Sequence, residues 1–365
     1  MDPAGDDWTS AAPIKTTAGY AMRGFMFEPT GFGISIALAI MIAVSAFLTR
    51  VLVKFRLLAM PNVRSAHKQP VPTAGGLAVA LVVVASASLF VQVTDIDLHL
   101  IPQLIGLAAL AAVLGLVDDV VELSSGFKFG ILFGLSVLMA IILGPVVSLP
   151  FDTFSLKIPW VLGVVGTALW VFTLTNTVNF MDGADGVVPL SALLVSLGLA
   201  VLAAFFGVWS ACGAALFLAA GLAGFLPFNM PRARIFLGDT GSLFIGTWIA
   251  GTALILIAEG PPAVVWIMPL LTMPWLSDVL LTMFWRLGKK RKLLVAHNDH
   301  LYQLALAKGH SHLRVAIGLA LQMVAVTVLA ILFRVSPTSA FLGFASAASF
   351  AALVHWRARQ QDRHH

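Results

Sequence analysis

Residues 186–231 read GVVPLSALLVSLGLAVLAAFFGVWSACGAALFLAAGLAGFLPFNMP, 46 consecutive positions without an Asp, Glu, Lys or Arg. A helix needs about 20 largely apolar residues to cross the hydrocarbon of a bilayer, so this stretch is long enough for two crossings. Gly207 to Ser210 offers the natural turn between them. The pattern repeats outward in both directions: residues 29–49, 69–94, 98–117, 129–151, 158–181, 240–258, 260–277, 315–333 and 335–356 are also free of charge. Composition agrees, with 59% hydrophobic and 11% charged residues against about 25% charged in an ordinary soluble domain. A cytosolic globular protein and a disordered chain are both excluded.

The apolar runs are continuous and not alternating, which excludes a β-barrel. Backbone polar groups must be satisfied inside lipid, which favours helices. The expected fold is all-α, a polytopic transmembrane helical bundle of about 11 spans. They fall at roughly 31–53, 74–93, 100–117, 128–149, 158–180, 187–206, 210–228, 241–258, 262–284, 313–334 and 338–356. A short N-terminal tail (1–30), a single membrane-embedded catalytic domain (31–356) and a C-terminal tail (357–365) complete the expected organisation. The first 30 residues lack the basic-then-apolar layout of a secretory signal.

The formal net charge of +5 reads as membrane topology and not as a nucleic-acid surface, because cytoplasmic loops collect Lys and Arg. If the N-terminus is periplasmic, the inside loops and C-terminal tail hold 18 of the 22 Lys and Arg residues. The C-terminus is then cytoplasmic. Cys212 is the single cysteine, so no intramolecular disulfide or cysteine-based metal site is available, and it reads as a packing residue.

With that topology the polar motifs share one side: PNVRSAHKQPVPTAGG (61–76), GLVDDVVEL (115–123), NTVNFMDGADGV (176–187), FNMPRARIFLGDTGS (228–242) and AHNDHLYQ (296–303). A transporter would more often place polar groups near the midplane on interrupted helices. One polar mouth suits an enzyme working at the cytoplasmic interface. Asp118 and Asp119 close the third expected helix, and adjacent carboxylates need protonation, divergent orientation or a cation. Asp182 and Asp185 lie in DGADG, where Gly183 and Gly186 allow backbone conformations closed to other residues. Asn176 and Asn179, one turn apart, can donate to phosphate or carboxylate.

Asp239 stands in GDTGS, where Thr240 or Ser242 could cap the next helix and its free N–H groups could face a phosphate. Arg232 and Arg234 nearby could bind phosphate or lipid head groups. Five acids on one face, with asparagines and no cysteine, suit a hard cation: Mg²⁺, with Mn²⁺ as the alternative. His297 and His300, with Asp299, leave zinc as a lesser alternative. Their loop carries Lys289, Lys290, Arg291 and Lys292, which fits a multiply charged anionic substrate or serves topology alone. Asp278, inside the ninth expected helix, is either functional by default or holds polar neighbours in place.

These motifs, in this order from about residue 31 to 335, resemble the polyprenyl-phosphate N-acetylhexosamine-1-phosphate transferases, the membrane glycosyltransferase family 4 of bacteria. The resemblance implies transfer of a sugar 1-phosphate from a UDP-activated N-acetylhexosamine to undecaprenyl phosphate. Undecaprenyl-diphospho-sugar and UMP are the products, Mg²⁺ is required, and the setting is the bacterial inner membrane with the active site facing the cytoplasm. By the same resemblance Asp118 and Asp119 engage the lipid phosphate and take part in catalysis, and Asp239 is the main Mg²⁺ ligand, helped by Asp118 or Asp182. Asp182, His297 and His300 are also counted with the catalytic groups. Asp185, Asn176, Asn179, Lys68, Arg232 and Arg234 are expected among the substrate- and nucleotide-binding residues, and His297 and His300 lie near the diphosphate and sugar.

Asp278 matches an acid often seen in the ninth helix of the relatives. AHNDHLYQ lacks the three consecutive histidines of the MurNAc-pentapeptide branch. That points to the O-antigen-initiating members acting on GlcNAc-, QuiNAc- or FucNAc-type sugars. Dimers occur in relatives, which leaves a homodimer open. Two rivals are a CDP-alcohol-type phosphotransferase, whose D-G-x-x-A-R core is incomplete here, and a transporter with an acidic ion pathway, which Asp278 alone would fit.

Overall fold

The computed structural model describes residues 29–55, 71–94, 98–292 and 297–361. The chain divides into two units, Met1–Ala37 and Leu38–His365, and every residue argued on below lies in the second. Helices α1 (Pro29–Phe55), α2 (Gly75–Val93), α3 (Ile101–Val121) and α4 (Ser125–Ile142) precede a hairpin of β1 (Ser148–Pro150) and β2 (Ser155–Lys157). Then come α5 (Trp160–Met181), α6 (Val187–Phe205), α7 (Trp209–Asn229), α8 (Gly238–Glu259), α9 (Val264–Leu271), α10 (Met273–Gly288), α11 (Leu301–Ala307), α12 (His312–Phe333) and α13 (Pro337–Gln361). Among the described residues ten helices are long and apolar enough to cross a membrane, and the bent pair α9–α10 can make an eleventh span. The chain is an all-α polytopic membrane protein.

Helix α8 is the centre of the packing. Every residue from Thr240 to Leu256 is buried, and α2, α3, α5 and α7 all pack on it. Between helices in lipid the attraction comes from close van der Waals packing and not from a hydrophobic drive, so small residues mark the contacts. A Cβ on Gly76 would collide with the backbone of Gly241, and one on Gly115 with the carbonyl of Asp239. A Cβ on Gly246 would come within 2.7 Å of Thr175 Cα. Three helices therefore meet α8 backbone to backbone.

Two expected spans differ from the structure. The helix expected over 128–149 ends at Ile142. Gly144 then turns through φ +102 into the antiparallel hairpin, which pairs Ser148 with Lys157. The span expected as one helix over 262–284 breaks at Thr272 with a 70° bend. Pro269 and Pro274 flank that break, and each removes a backbone donor from the helical ladder.

The α3–α8 crossing yields a stability test. Gly115→Ala is expected to cost about 1–3 kcal/mol, the usual range for overpacking, seen as a lower thermal midpoint of the purified protein. Gly106→Ala, where an added Cβ meets nothing within 4 Å, should leave the midpoint unchanged or higher.

Candidate active site

The acidic cluster is assembled at the ends of α3, α5 and α8. Asp119 projects from the last turn of α3 to the start of α8. Its Oδ1 accepts the Asp239 backbone N–H at 2.9 Å, and its Oδ2 accepts the Thr240 N–H at 3.0 Å and the Thr240 hydroxyl at 2.7 Å. A carboxylate here satisfies the unpaired donors of the helix start and the positive end of its dipole. Those N–H groups are thus taken by Asp119 and do not face open space for a phosphate; neither Thr240 nor Ser242 is the cap. Gly238, at φ +70, makes the turn into α8, and a Cβ there would come within 2.8 Å of Asp119 Oδ2.

Asp118, one residue earlier, faces a different partner. Its Oδ1 accepts the Leu123 N–H at 2.8 Å and its Oδ2 accepts the Lys128 ammonium at 2.8 Å. The same ammonium reaches Asp239 Oδ2. Asp239 Oδ1 accepts the Asn179 amide at 2.8 Å, and that amide also donates to Ser242 Oγ at 2.8 Å. Two carboxylates from α3 and α8 therefore converge on one cation carried by α4. Asp239 is the open member, its side chain keeping 30% of its exposure.

The DGADG loop lies next to this cluster. Burial, and then the negative charges of Asp239, Asp119 and Asp185, push the Asp182 carboxyl up to about 8. Asp185 points the other way. Its Oδ2 accepts the Ala233 N–H at 3.1 Å and its Oδ1 lies 3.4 Å from His312 Nδ1. Gly186, at φ +76, donates its N–H to the buried Asn229 side chain at 2.7 Å, and Asn229 in turn donates to the Ile235 carbonyl at 2.9 Å. Asp185 and Asn229 thus tie the 182–186 loop to the 230–237 loop that leads to Asp239. The latter loop also pairs with the start of α2, through Phe236 N to Pro72 O at 2.8 Å and Gly75 N to Phe236 O at 2.9 Å.

The histidine segment closes another side. Asp278 of α10 accepts the backbone N–H groups of Leu301 at 2.8 Å and Tyr302 at 3.3 Å, so it caps α11. Tyr302 donates to the Phe180 carbonyl at 2.9 Å, and burial followed by the charges of Asp182 and Asp278 pushes its phenol up. Asp299 is held by Arg286 and Arg291, and Arg359 of α13 donates to the Asp299 carbonyl and to Thr282 Oγ1. His297 and His300 lie with ring centroids 5.0 Å apart. Burial, then the neighbouring His300 and Arg286, pulls His297 down to about 4, so it is a neutral imidazole at physiological pH. Its Nδ1 accepts the Asp299 N–H at 3.3 Å, which leaves Nε2–H as a donor.

Of the expected site residues, Asp118, Asp119, Asp182, Asp239 and Asn179 come together, with His297 and His300 on the segment that docks through Tyr302. Asn176 stays on its own helix, donating to the Phe172 carbonyl at 2.8 Å, and its buried Oδ1 has no partner among the described residues. Arg232 is exposed. Arg234 bonds the Pro227 carbonyl at 2.8 Å and lies over the Phe228 ring. Lys68 lies outside the described residues. Asp278, the acid a transport pathway would need, is engaged in capping. Lys128 is the residue sequence reasoning missed. Its signal is a lone Lys opening an otherwise uncharged helix beside GLVDD, a position that topology alone also explains. His312 and Asn229 had no such signal.

Removing the bridging cation should expose the repulsion it masks. Lys128→Met is expected to destabilise the metal-free protein by about 3–5 kcal/mol, the usual cost of orphaning a buried charge. Added Mg²⁺ should raise the thermal midpoint more in this variant than in the parent. Asp182 behaves oppositely, because its carboxyl titrates higher in the folded chain than its ordinary value near ~4. Its ionisation therefore weakens the metal-free fold progressively as pH rises from about 4 to about 8. Asp182→Asn should match the parent's thermal midpoint at the acid end of that window and exceed it at the alkaline end.

The segment that carries this cluster is similar to known proteins. Residues 101–257 match the family model described as glycosyl transferase family 4. The chain is 28% identical over 281 residues to a "Probable undecaprenyl-phosphate N-acetylglucosaminyl 1-phosphate transferase" of Bacillus subtilis, covering 76% of this chain and 77% of the relative. It is 28% identical over 294 residues to a "Decaprenyl-phosphate N-acetylglucosaminephosphotransferase" of Mycolicibacterium smegmatis, covering 72% and 71%. A "Phospho-N-acetylmuramoyl-pentapeptide-transferase" of Moorella thermoacetica is 29% identical over 211 residues, covering 53% and 64%. Relatives of both sugar types are thus similar to the chain, so the comparisons do not separate the two branches. The matched region runs from α3 to the last turn of α8 and contains Asp118, Asp119, Lys128, Asn179, Asp182 and Asp239.

Proposed function

We propose that this chain transfers an N-acetylhexosamine 1-phosphate from a UDP-sugar to undecaprenyl phosphate, releasing UMP, at the cytoplasmic face of a bacterial inner membrane. The observation that carries the reading is the convergence of Asp118 and Asp239 on a single cation, Lys128 Nζ, next to the carboxyl of Asp182. The names of the relatives favour this reaction, and the 18 of 22 basic residues placed on one side favour the orientation. Departure of AHNDHLYQ from three consecutive histidines favours a GlcNAc-type donor, with QuiNAc- and FucNAc-type sugars beside it.

The donor set fits a hard divalent ion. Mg²⁺ takes one or two carboxylates and leaves its other positions to water and substrate phosphates, so a pre-formed cage is unnecessary. Asp239, with Asp182 or Asp118, would hold it, and it would supply neutralisation of the donor diphosphate. The residues do the rest by position and charge, which is most of what phosphoryl transfer needs. An oxygen of the acceptor phosphate attacks the sugar-bearing phosphorus, the bond to the UMP oxygen breaks, and UMP departs with the electron pair. A phosphate monoester has its second pKa near ~6, so it arrives substantially ionised and needs no strong base. Asp118, engaged at both oxygens, serves as the anchor of Lys128. The neutral His297 donates to the diphosphate and does not remove a proton.

Purified protein incubated with undecaprenyl phosphate, Mg²⁺ and a panel of UDP-sugars should release UMP with at least one N-acetylhexosamine donor. Asp239→Asn should abolish release while the protein still inserts and folds. The pair His297→Ala and His300→Ala should lose more activity than replacement of an exposed Lys such as Lys289. Release undiminished in Asp239→Asn would sink the assignment of the cluster.

A further inference from the structure

Helices α1 and α7 share a close seam. Ser45 Oγ donates to the Gly221 carbonyl at 2.6 Å, and a Cβ on Gly224 would come within 2.6 Å of Ser45 Cβ. Beyond that seam a cleft of about 620 Å³ opens, lined by Arg50, Val53, Lys54, Phe228 and Arg234. Arg50 and Lys54 are one helical turn apart, an arrangement that repels in isolation. Arg234 is fixed as a third cation: its guanidinium donates to the Pro227 carbonyl at 2.8 Å and lies 4.7 Å from the centroid of Phe228. Among the described residues no carboxylate lines the cleft, and none forms an ion pair with any of the three.

Three cations around apolar walls, at the ends of two membrane helices, lack an anion that carries its own apolar tail. We propose that this cleft binds the phosphate of a membrane lipid with net negative charge, with Arg50, Lys54 and Arg234 around the headgroup and Val53 and Phe228 against the first carbons of the chain. The bound phosphate belongs to an anionic phospholipid, as a diester, or to a polyprenyl phosphate, as a monoester, and both place an anionic phosphate at the head of an apolar tail. The site goes beyond the transfer reaction, since none of its described lining residues is shared with the carboxylate cluster.

The test uses the full chain in phosphatidylcholine vesicles containing a photoactivatable phosphatidylglycerol. Label is expected in the segments bearing Arg50 to Lys54 and Phe228 to Arg234. In the triple variant Arg50→Gln, Lys54→Gln, Arg234→Gln, the lipid concentration for half-maximal labelling should rise roughly a hundredfold, each basic group near a headgroup being worth about a factor of five. Undecaprenyl phosphate that competes with the label identifies the polyprenyl source, whereas label insensitive to it identifies the phospholipid; either supports the site. Equal labelling of these segments by a photoactivatable phosphatidylcholine, label spread evenly over the loops of that end, or an unchanged triple variant would overturn it. The phosphatidylcholine comparison is made on the unmodified chain, so it decides the matter even if the variant does not fold.

Discussion

The contact on which the rest of the site hangs is Asp119 at the start of α8. One carboxylate takes two backbone donors and a hydroxyl from Asp239 and Thr240. Charge-assisted bonds of this kind are stronger than neutral ones, and here they join α3 to α8. The approach needs Gly115, and the turn into α8 needs Gly238. With that crossing set, Asp118 and Asp239 are delivered from different helices to one point. Neither could be aimed there by its own helix alone.

A second layer of ties works through backbone and not through side-chain pairs. Asp185 and Asn229 bind loop to loop, Asp278 caps the short helix after the histidines, and Arg359 reaches from the last helix to the Asp299 carbonyl. Each uses a charged or amide group to satisfy irregular backbone at the mouth of a helical bundle, where helical hydrogen bonding stops. The bend at Thr272 belongs to this layer, because α10 leaves it carrying both Asp278 and Arg286 to the histidine segment.

Much of this was legible in the sequence, for identifiable reasons. Lipid forbids unpaired charge, so charge-free intervals mark spans such as α6 and α7 almost to the residue. Residues 101–121 and 125–142 were less well bounded, because at a bundle mouth helices run on past their apolar stretch or stop short of it. The bend had a readable cause in Pro269 and Pro274, yet apolar continuity outweighed it. Within the site the acids were visible, but their division of labour was not. A DD pair reads the same whether one member caps a helix and the other holds an ammonium, or both face a ligand. Lys128 was hidden by the rule that found the topology, since a basic residue at a span end is expected there anyway.

Lys128 gives the cluster a thermodynamic property of its own. Because an ammonium already bridges Asp118 and Asp239, a dication drawn to those oxygens is a competitor and not an addition. Any cation that took those oxygens would have to displace a lysine that stays tethered to α4, so the ammonium sets a threshold for occupancy of the cluster.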